Sequence, residues 1–410
     1  MGEAIITRRG GSGEVIVEFD NFIPSDIGSD EELTHLTPTP LSAARDRLAG
    51  ASVGNYALFA GGLYASSSRS SAVDTYDTSL TRSTPTALSV GRDSLAGASV
   101  GNYALFAGGY SGSYSNRVDA YDTSLTRSTP TALSVARNLP VGASVGDYAL
   151  FAGGYSGSDR STVDAYDTSL TRSTPTALSV ARRILAGASV GNYALFAGGY
   201  SDSSPMYKDT VDAYNTSLTR STPTALSVER NSLAGASVGN YALFAGGYVG
   251  SYSDTVDAYD TSLTRSTPTA LSIARRYLAG VSVGDYALFA GGYTGSYSNT
   301  VDAYDTSLTR STPTPLSVER RDLAGASVGD YALFAGGYSD SSPMYKDTVD
   351  AYGPPVPLVR LYMPIGTKYK FGESEETATT NEITVPVPLT GYIKYKSGVV
   401  GTEGGAPDGS

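Results

Sequence analysis

The 410-residue sequence has no cysteine and no tryptophan, a single histidine and only four methionines. Without cysteine there is no disulfide framework and no thiol chemistry, and the compartment stays open. With one histidine and no cysteine, zinc or copper sites built on those ligands are excluded. Ser-His-Asp catalysis would have to use His35. No dinucleotide fingerprint and no phosphate loop with lysine is present, so no nucleotide and no other cofactor is implied. No apolar run approaches the length of a membrane span. Met1–Gly10 holds two arginines, but no apolar run of signal-peptide length follows. Basic charge is also short: the formal net charge is −11, which argues against a nucleic-acid backbone or an anionic membrane as partner.

Glycine (47 residues) and tyrosine (31) are abundant, and both recur with a period. Near-copies of Leu95–Arg137 fill most of the chain. Each carries Phe-Ala-Gly-Gly, whose second glycine falls at Gly62, Gly109, Gly154, Gly199, Gly247, Gly292 and Gly337, a spacing of 45 residues stretched to 47 or 48 where a loop is longer. A period of this size marks a repeat array, so function belongs to the array and not to one isolated site. Four short strands are predicted per copy. Ala98–Val100 is small and apolar, and Tyr103–Ala107 is an apolar run suited to burial on both faces. Val118–Tyr121 alternates, and Thr129–Val135 lies outermost, where Pro130 is tolerated because an edge strand need not use every N–H.

These units resemble the kelch repeat. The resemblance rests on the Gly108-Gly109 pair ending the second strand, on Val118-Asp119-Ala120-Tyr121, and on the closing arginines Arg92, Arg137, Arg182, Arg230, Arg275 and Arg320. The copies depart from the family in lacking its fourth-strand tryptophan; Arg127 or a neighbouring threonine falls there. The resemblance implies an all-β fold, the blades of a β-propeller.

The last copy, Leu323–Tyr352, stops after its third strand, while Leu33–Arg45 aligns without a gap on Leu125–Arg137. The expectation is a seven-bladed ring in which the N-terminal strand 37–43 completes the last blade. One copy buries too little apolar surface to offset the entropy of ordering its backbone. Stacking buries both faces of each sheet, and closure supplies neighbours that an open array, the alternative, would replace with caps. The chain divides into an N-terminal hairpin and acidic linker (1–32), the propeller (33–352) and a small C-terminal β module with a flexible tail (353–410). The opening residues resemble the N-termini of structural proteins from phages of Gram-positive bacteria, over about ten residues.

The copies differ unevenly. Asp122–Ser134 recurs almost residue for residue, and Ser-Val-Gly followed by Asn or Asp always joins the first two strands. Two other connections vary: the loop after the second strand, and the pair after the closing arginine, such as Asp93-Ser94, Asn138-Leu139 or Arg276-Tyr277. In an up-and-down blade both emerge at one end, so the variation falls on one face, whereas drift alone would spare neither. The variable loops are rich in Tyr, Ser, Gly, Asn and Asp, a paratope-like composition. Tyr114, Tyr207, Tyr252, Tyr277, Tyr297 and Tyr345 are the expected anchors, Met206 and Met344 adaptable apolar contacts, and Arg160, Arg183, Arg276 and Arg321 forks for carboxylate or sugar hydroxyl groups. Repeated aspartates such as Asp119 and Asp122 are expected to accept turn hydrogen bonds or pair with arginines, and His35 to fill the position of Arg127.

The function expected is therefore recognition without catalysis. The reading is of a receptor-binding, tail-fibre-like protein of a phage or similar particle, made in the cytoplasm without a signal peptide. It would bind a cell-surface glycan or protein through the diversified face and other structural proteins of its assembly through its termini. A cytoplasmic or virion scaffold using the invariant face and a glycan-active enzyme are the alternatives.

Overall fold

The computed structural model describes residues 33–65 and 68–354, and the backbone of seven strands outside that span. The chain divides into two compact units, residues 34–354 and residues 1–33 with 355–410.

The larger unit is a ring of seven four-stranded antiparallel sheets, a β-propeller. In the second blade the strands from the inside outward are Ala96–Val100, Tyr103–Ala107, Val118–Asp122 and Arg127–Ser128. The second strand has its expected bounds. The fourth is a correction: only Arg127 and Ser128 pair, opposite Tyr121 and Ala120. Thr129–Val135 leaves the ladder because Pro130 has no N–H to give it.

Closure follows the same rule. The strand completing the seventh blade is Thr34–Leu36, paired with Val349–Gly353 so that His35 stands opposite Tyr352. It is not 37–43, where Pro38 and Pro40 interrupt the donors. Residues 37–43 instead take the course of 129–135. Leu41 N–H donates to Asp347 at 2.8 Å as Leu133 does to Asn116, and the Tyr76 hydroxyl donates to Thr39 O at 2.7 Å as that of Tyr121 does to Thr86 O. This segment joins the seventh blade to the first.

Three features weld the blades. At the centre the innermost strands converge: a Cβ on Gly97 would lie 2.1 Å from Gly50 O, so only glycine fits. Next to it, the Ser99 hydroxyl donates to Ser52 O and that of Ser52 to Ser327 O, each at 2.6 Å. Between blades lie apolar layers in which Phe106 and Tyr121 are fully buried and meet edge to face. Finally, each closing arginine is fully buried and reaches into the following blade. Arg137 donates to Phe151 O at 3.0 Å and to Asp164 at 2.8 Å, while Asp164 also receives Arg172 of its own blade. The expected Asp–Arg pairing is thus present, and Asp122 accepts from Ser124 and Thr126 N–H groups in its turn. His35 fills the Arg127 position down to its partner, with Nε2 2.7 Å from Asp350.

The second unit holds a five-stranded sheet in the order Ala4–Arg8, Glu14–Phe22, Leu389–Lys396, Lys368–Phe371, Ser374–Thr377, and a two-stranded sheet of Leu358–Tyr362 with Glu382–Pro386. Strands from both ends of the chain therefore share one sheet, where the sequence suggested two separate modules. The acidic linker and the C-terminal tail lie outside the described residues.

Candidate functional site

Each blade ends in a small extension built from the two variable connections. In the second blade, Asp93 bridges Tyr110, which bridges Tyr114; the same triplet recurs around the ring, for example as Arg276, Tyr293 and Tyr297. The post-arginine residues and the loop tyrosines therefore occupy one face. The glycine pair makes this possible. Gly109, at φ 101°, passes so close to Asp93 O that a Cβ would lie 2.7 Å from it, and its N–H donates to Arg137 O at 2.9 Å.

The second residue after each closing arginine has left-handed backbone. Arg47, Ser94, Leu139, Ile184, Ser232, Tyr277 and Asp322 have φ between 52° and 58°. None is glycine, and Ile184 is β-branched, so each costs about 1–3 kcal/mol of backbone strain. They form a belt: Ser94 N–H donates to Arg47 O at 3.0 Å, Leu139 to Ser94 O at 2.9 Å, and Arg47 to Asp322 O at 3.0 Å across the closure. Backbone geometry is thus common to all seven positions while the side chains differ. All seven line a central depression of about 850 Å³, together with Leu48, Leu95, Pro140 and their counterparts at its floor and Tyr110, Tyr114 and Tyr155 at its edge.

An aromatic arc surrounds this depression. Tyr200, Tyr207, Tyr248, Tyr252, Tyr293, Tyr297, Tyr338 and Tyr345 follow one another with centroids 5.3–6.1 Å apart. Tyr110, Tyr114 and Tyr155 form a second run. Where Asp159 replaces a tyrosine between the two runs, the Arg183 guanidinium lies over both Tyr155 and Tyr200, at 4.6 and 4.9 Å. Arg69 covers Tyr110 at 4.9 Å.

Of the expected site residues, Tyr114, Tyr277 and Arg321 line the depression, and Tyr207, Tyr252, Tyr297 and Tyr345 stand in the arc. The Tyr297 hydroxyl donates to Asp340 at 3.0 Å; burial and that bond push its pKa up to about 12. Met206 and Met344 are exposed at the tips of the longer loops, each folded over a buried lysine, Lys208 or Lys346. Two arginines are not free forks. Arg160 closes on Ser156 of its own loop, and Arg183 is held by Asp159 at 2.6 Å and Asp202 at 3.0 Å. The tyrosines directly after the glycine pairs, such as Tyr248 and Tyr293, also belong to the arc and were not among the expected anchors; six of the seven copies have tyrosine there and the first has Leu63. The sequence reading also passed over the belt as a distinct set; its signal was the second residue of each variable pair.

The depression is polarised. Arg47, Arg321 and Asp322 lie on one side, and Leu139, Pro140, Val141 and Ile184 line the other. Beside Arg47, Asp46 is buried with Oδ1 unpartnered; burial, opposed by Arg47 and reinforced by Asp322 and Asp93, pushes its carboxyl up to about 7. Burial likewise raises that of Asp322, against Arg321, Arg47 and Arg276. The repeated Gly97-Ala98-Ser99-Val100-Gly101 has the spacing of a hydrolase elbow, but it runs along the innermost strand with its serine tied into the inter-blade ladder, while His35 is in an outermost strand.

The sequence matches no family model and no curated protein. Among solved structures the chain is similar to that of YjhT, with a TM-score of 0.53 and 15% identity over 68% of this chain and 99% of that one. That similarity is one of fold: the chain is a seven-bladed β-propeller.

Proposed function

We propose that the chain is a non-enzymatic recognition propeller that binds its ligand through the variable face. The observation that carries this reading is the belt: seven strained positions share one backbone geometry, carry six kinds of side chain, and none is glycine, the residue that would relieve the strain. Stability alone does not favour Ile or Leu there, so the side chains are held for what they meet in the depression. The tyrosine arc adds rigid amphipathic contact area around it. Fold by itself selects no function among propellers.

In its finer form the proposal is a kelch-like, particle-borne receptor-binding protein whose target is a cell-surface glycan or protein. The kelch-like repeat pattern and the phage-like opening residues support that form. Near-equivalent Tyr pairs around the ring suit a ligand engaged at several points, where avidity compensates for weak single contacts. The test is a chain carrying Tyr114→Ala, Tyr252→Ala and Tyr297→Ala, assayed on a glycan array and on candidate target cells beside the unaltered chain. Loss of binding with an unchanged circular dichroism spectrum is expected; equal binding by both chains removes the proposal.

A further inference from the structure

We infer that Arg276 and Arg321 form a site for an amphipathic organic anion, whose charged group they grip while its apolar body lies across the depression against Leu139 and Ile184. The inference rests on the recognition reading and narrows its ligand. Of the arginines on this face, Arg160 and Arg183 already have partners, as described above. The Arg276 side chain has no hydrogen bond or ion pair among the described residues, and its buried Nε is unpartnered. Arg321 has one ion-pair partner among the described residues, Asp322, 3.5 Å from Nε, and that Nε makes no hydrogen bond. The other acid of the loops beside it, Asp340, takes the Tyr297 hydroxyl.

Aromatic rings hold both guanidinium groups in place, and the one acid that faces both, Asp322, is outnumbered by Arg47, Arg276 and Arg321. Arg276 lies 4.6 Å from the centre of Tyr248 and 4.8 Å from that of Tyr277; Arg321 lies 5.5 Å from Tyr277 and 5.5 Å from Tyr293. They share Tyr277 as a wall. In a protein of net charge −11 such a pair, held rigid and short of counter-charge, is a prepared anion site, and its order before binding reduces the entropy lost on capture. Ring order supplies the other half. Around seven belt positions, Leu139 and Ile184 stand opposite Asp322, so the apolar wall faces Arg321 across an opening sized for a small molecule, with Arg276 beside it against the shared ring of Tyr277.

The test uses the full chain and the fluorescent anion 1-anilinonaphthalene-8-sulfonate, displaced by octanoate or, at equal concentration, by octan-1-ol. One saturable site is expected, emptied by octanoate and not by octanol. Arg276→Gln with Arg321→Gln should weaken dye and octanoate at least about tenfold, as expected for lost hydrogen bonds to a charged group. Leu139→Ser with Ile184→Ser should weaken octanoate by a similar factor and leave acetate competition unchanged. Arg160→Gln, with its side chain closed on its own loop, should change neither by more than about twofold. Unaltered binding in the double arginine variant, or displacement by octanol as strong as by octanoate, overturns the inference. Such a result leaves target-cell binding intact if only this site is wrong. The tyrosine variant failing to lose target binding would instead remove the recognition reading beneath it.

Discussion

Both ends of the propeller carry a ring of residues in left-handed backbone, and the two rings are used differently. At the invariant end Leu80, Leu125, Leu170, Leu218, Leu263 and Leu308 have φ between 58° and 64°, and each packs against the apolar layer between its own blade and its neighbour. Beside them Gly101, in the turn joining the first two strands, leaves only 3.0 Å between an added Cβ and the Thr168 methyl of the next blade. Constancy at this end follows from blade packing. At the variable end the strained positions are Arg47, Ser94, Leu139, Ile184, Ser232, Tyr277 and Asp322, and they line a depression. The strain is accompanied by core burial of the side chain at one end, and at the other by backbone hydrogen bonds between neighbouring blades with the side chains turned to the depression.

The strongest way to break this contrast lies just beneath the variable residues. Arg137→Ala strips a fully buried carboxylate, Asp164, of its inter-blade partner, and breaking such a pair costs about 3–5 kcal/mol. A urea midpoint little changed by that substitution would mean that the latch is not what holds the variable end rigid.

A second measurement concerns the closure at Asp46, buried at 3% exposure beneath the same face. Its carboxyl rises from 3.8 to about 7 in the folded chain. Between those values the folded protein holds a proton that the unfolded chain has released, so this group's contribution to stability falls as pH rises from about 4 to about 7. Asp46→Asn should remove that slope, leaving the variant more stable than the parent at pH 8, by up to about 4 kcal/mol, and nearly equal to it at pH 4. Unfolding curves at the two pH values give the comparison, and equal differences at both would contradict it.

The smallest effect separates the two rings directly. Ile184→Gly should relieve strain with little packing lost and raise stability by about 1 kcal/mol. Leu125→Gly relieves the same strain but gives up buried apolar contact, and should lower stability by about 1–2 kcal/mol. Substitutions that move the melting temperature in the same direction would erase the distinction between the ends.

Much of the fold was readable because the repeat compares itself. Seven copies of Tyr-Ala-Leu-Phe-Ala place the second strand to the residue, and the alignment of Leu33–Arg45 on Leu125–Arg137 locates the closure. The fourth strand was misplaced at 129–135 because an edge strand can tolerate Pro130, whereas the donor lost there ends the ladder at Ser128. For the site, the sequence marked the variable face, and the structure brings the loop tyrosines and post-arginine residues together there. It could not tell a hydrogen-bonded guanidinium from one that makes no hydrogen bond: Arg160, Arg183, Arg276 and Arg321 look alike until Ser156, Asp159 and Asp202 are found in contact with the first two.

By itself the sequence determined the repeat, the number of blades, the seam and the end at which variation gathers, because periodicity, strand patterning and turn chemistry are local properties of the chain. Which side chains meet was decided only in three dimensions. The belt, the aromatic arc and the arginine pair join residues about one repeat apart, and only the stacking of neighbouring blades brings them within a few ångströms.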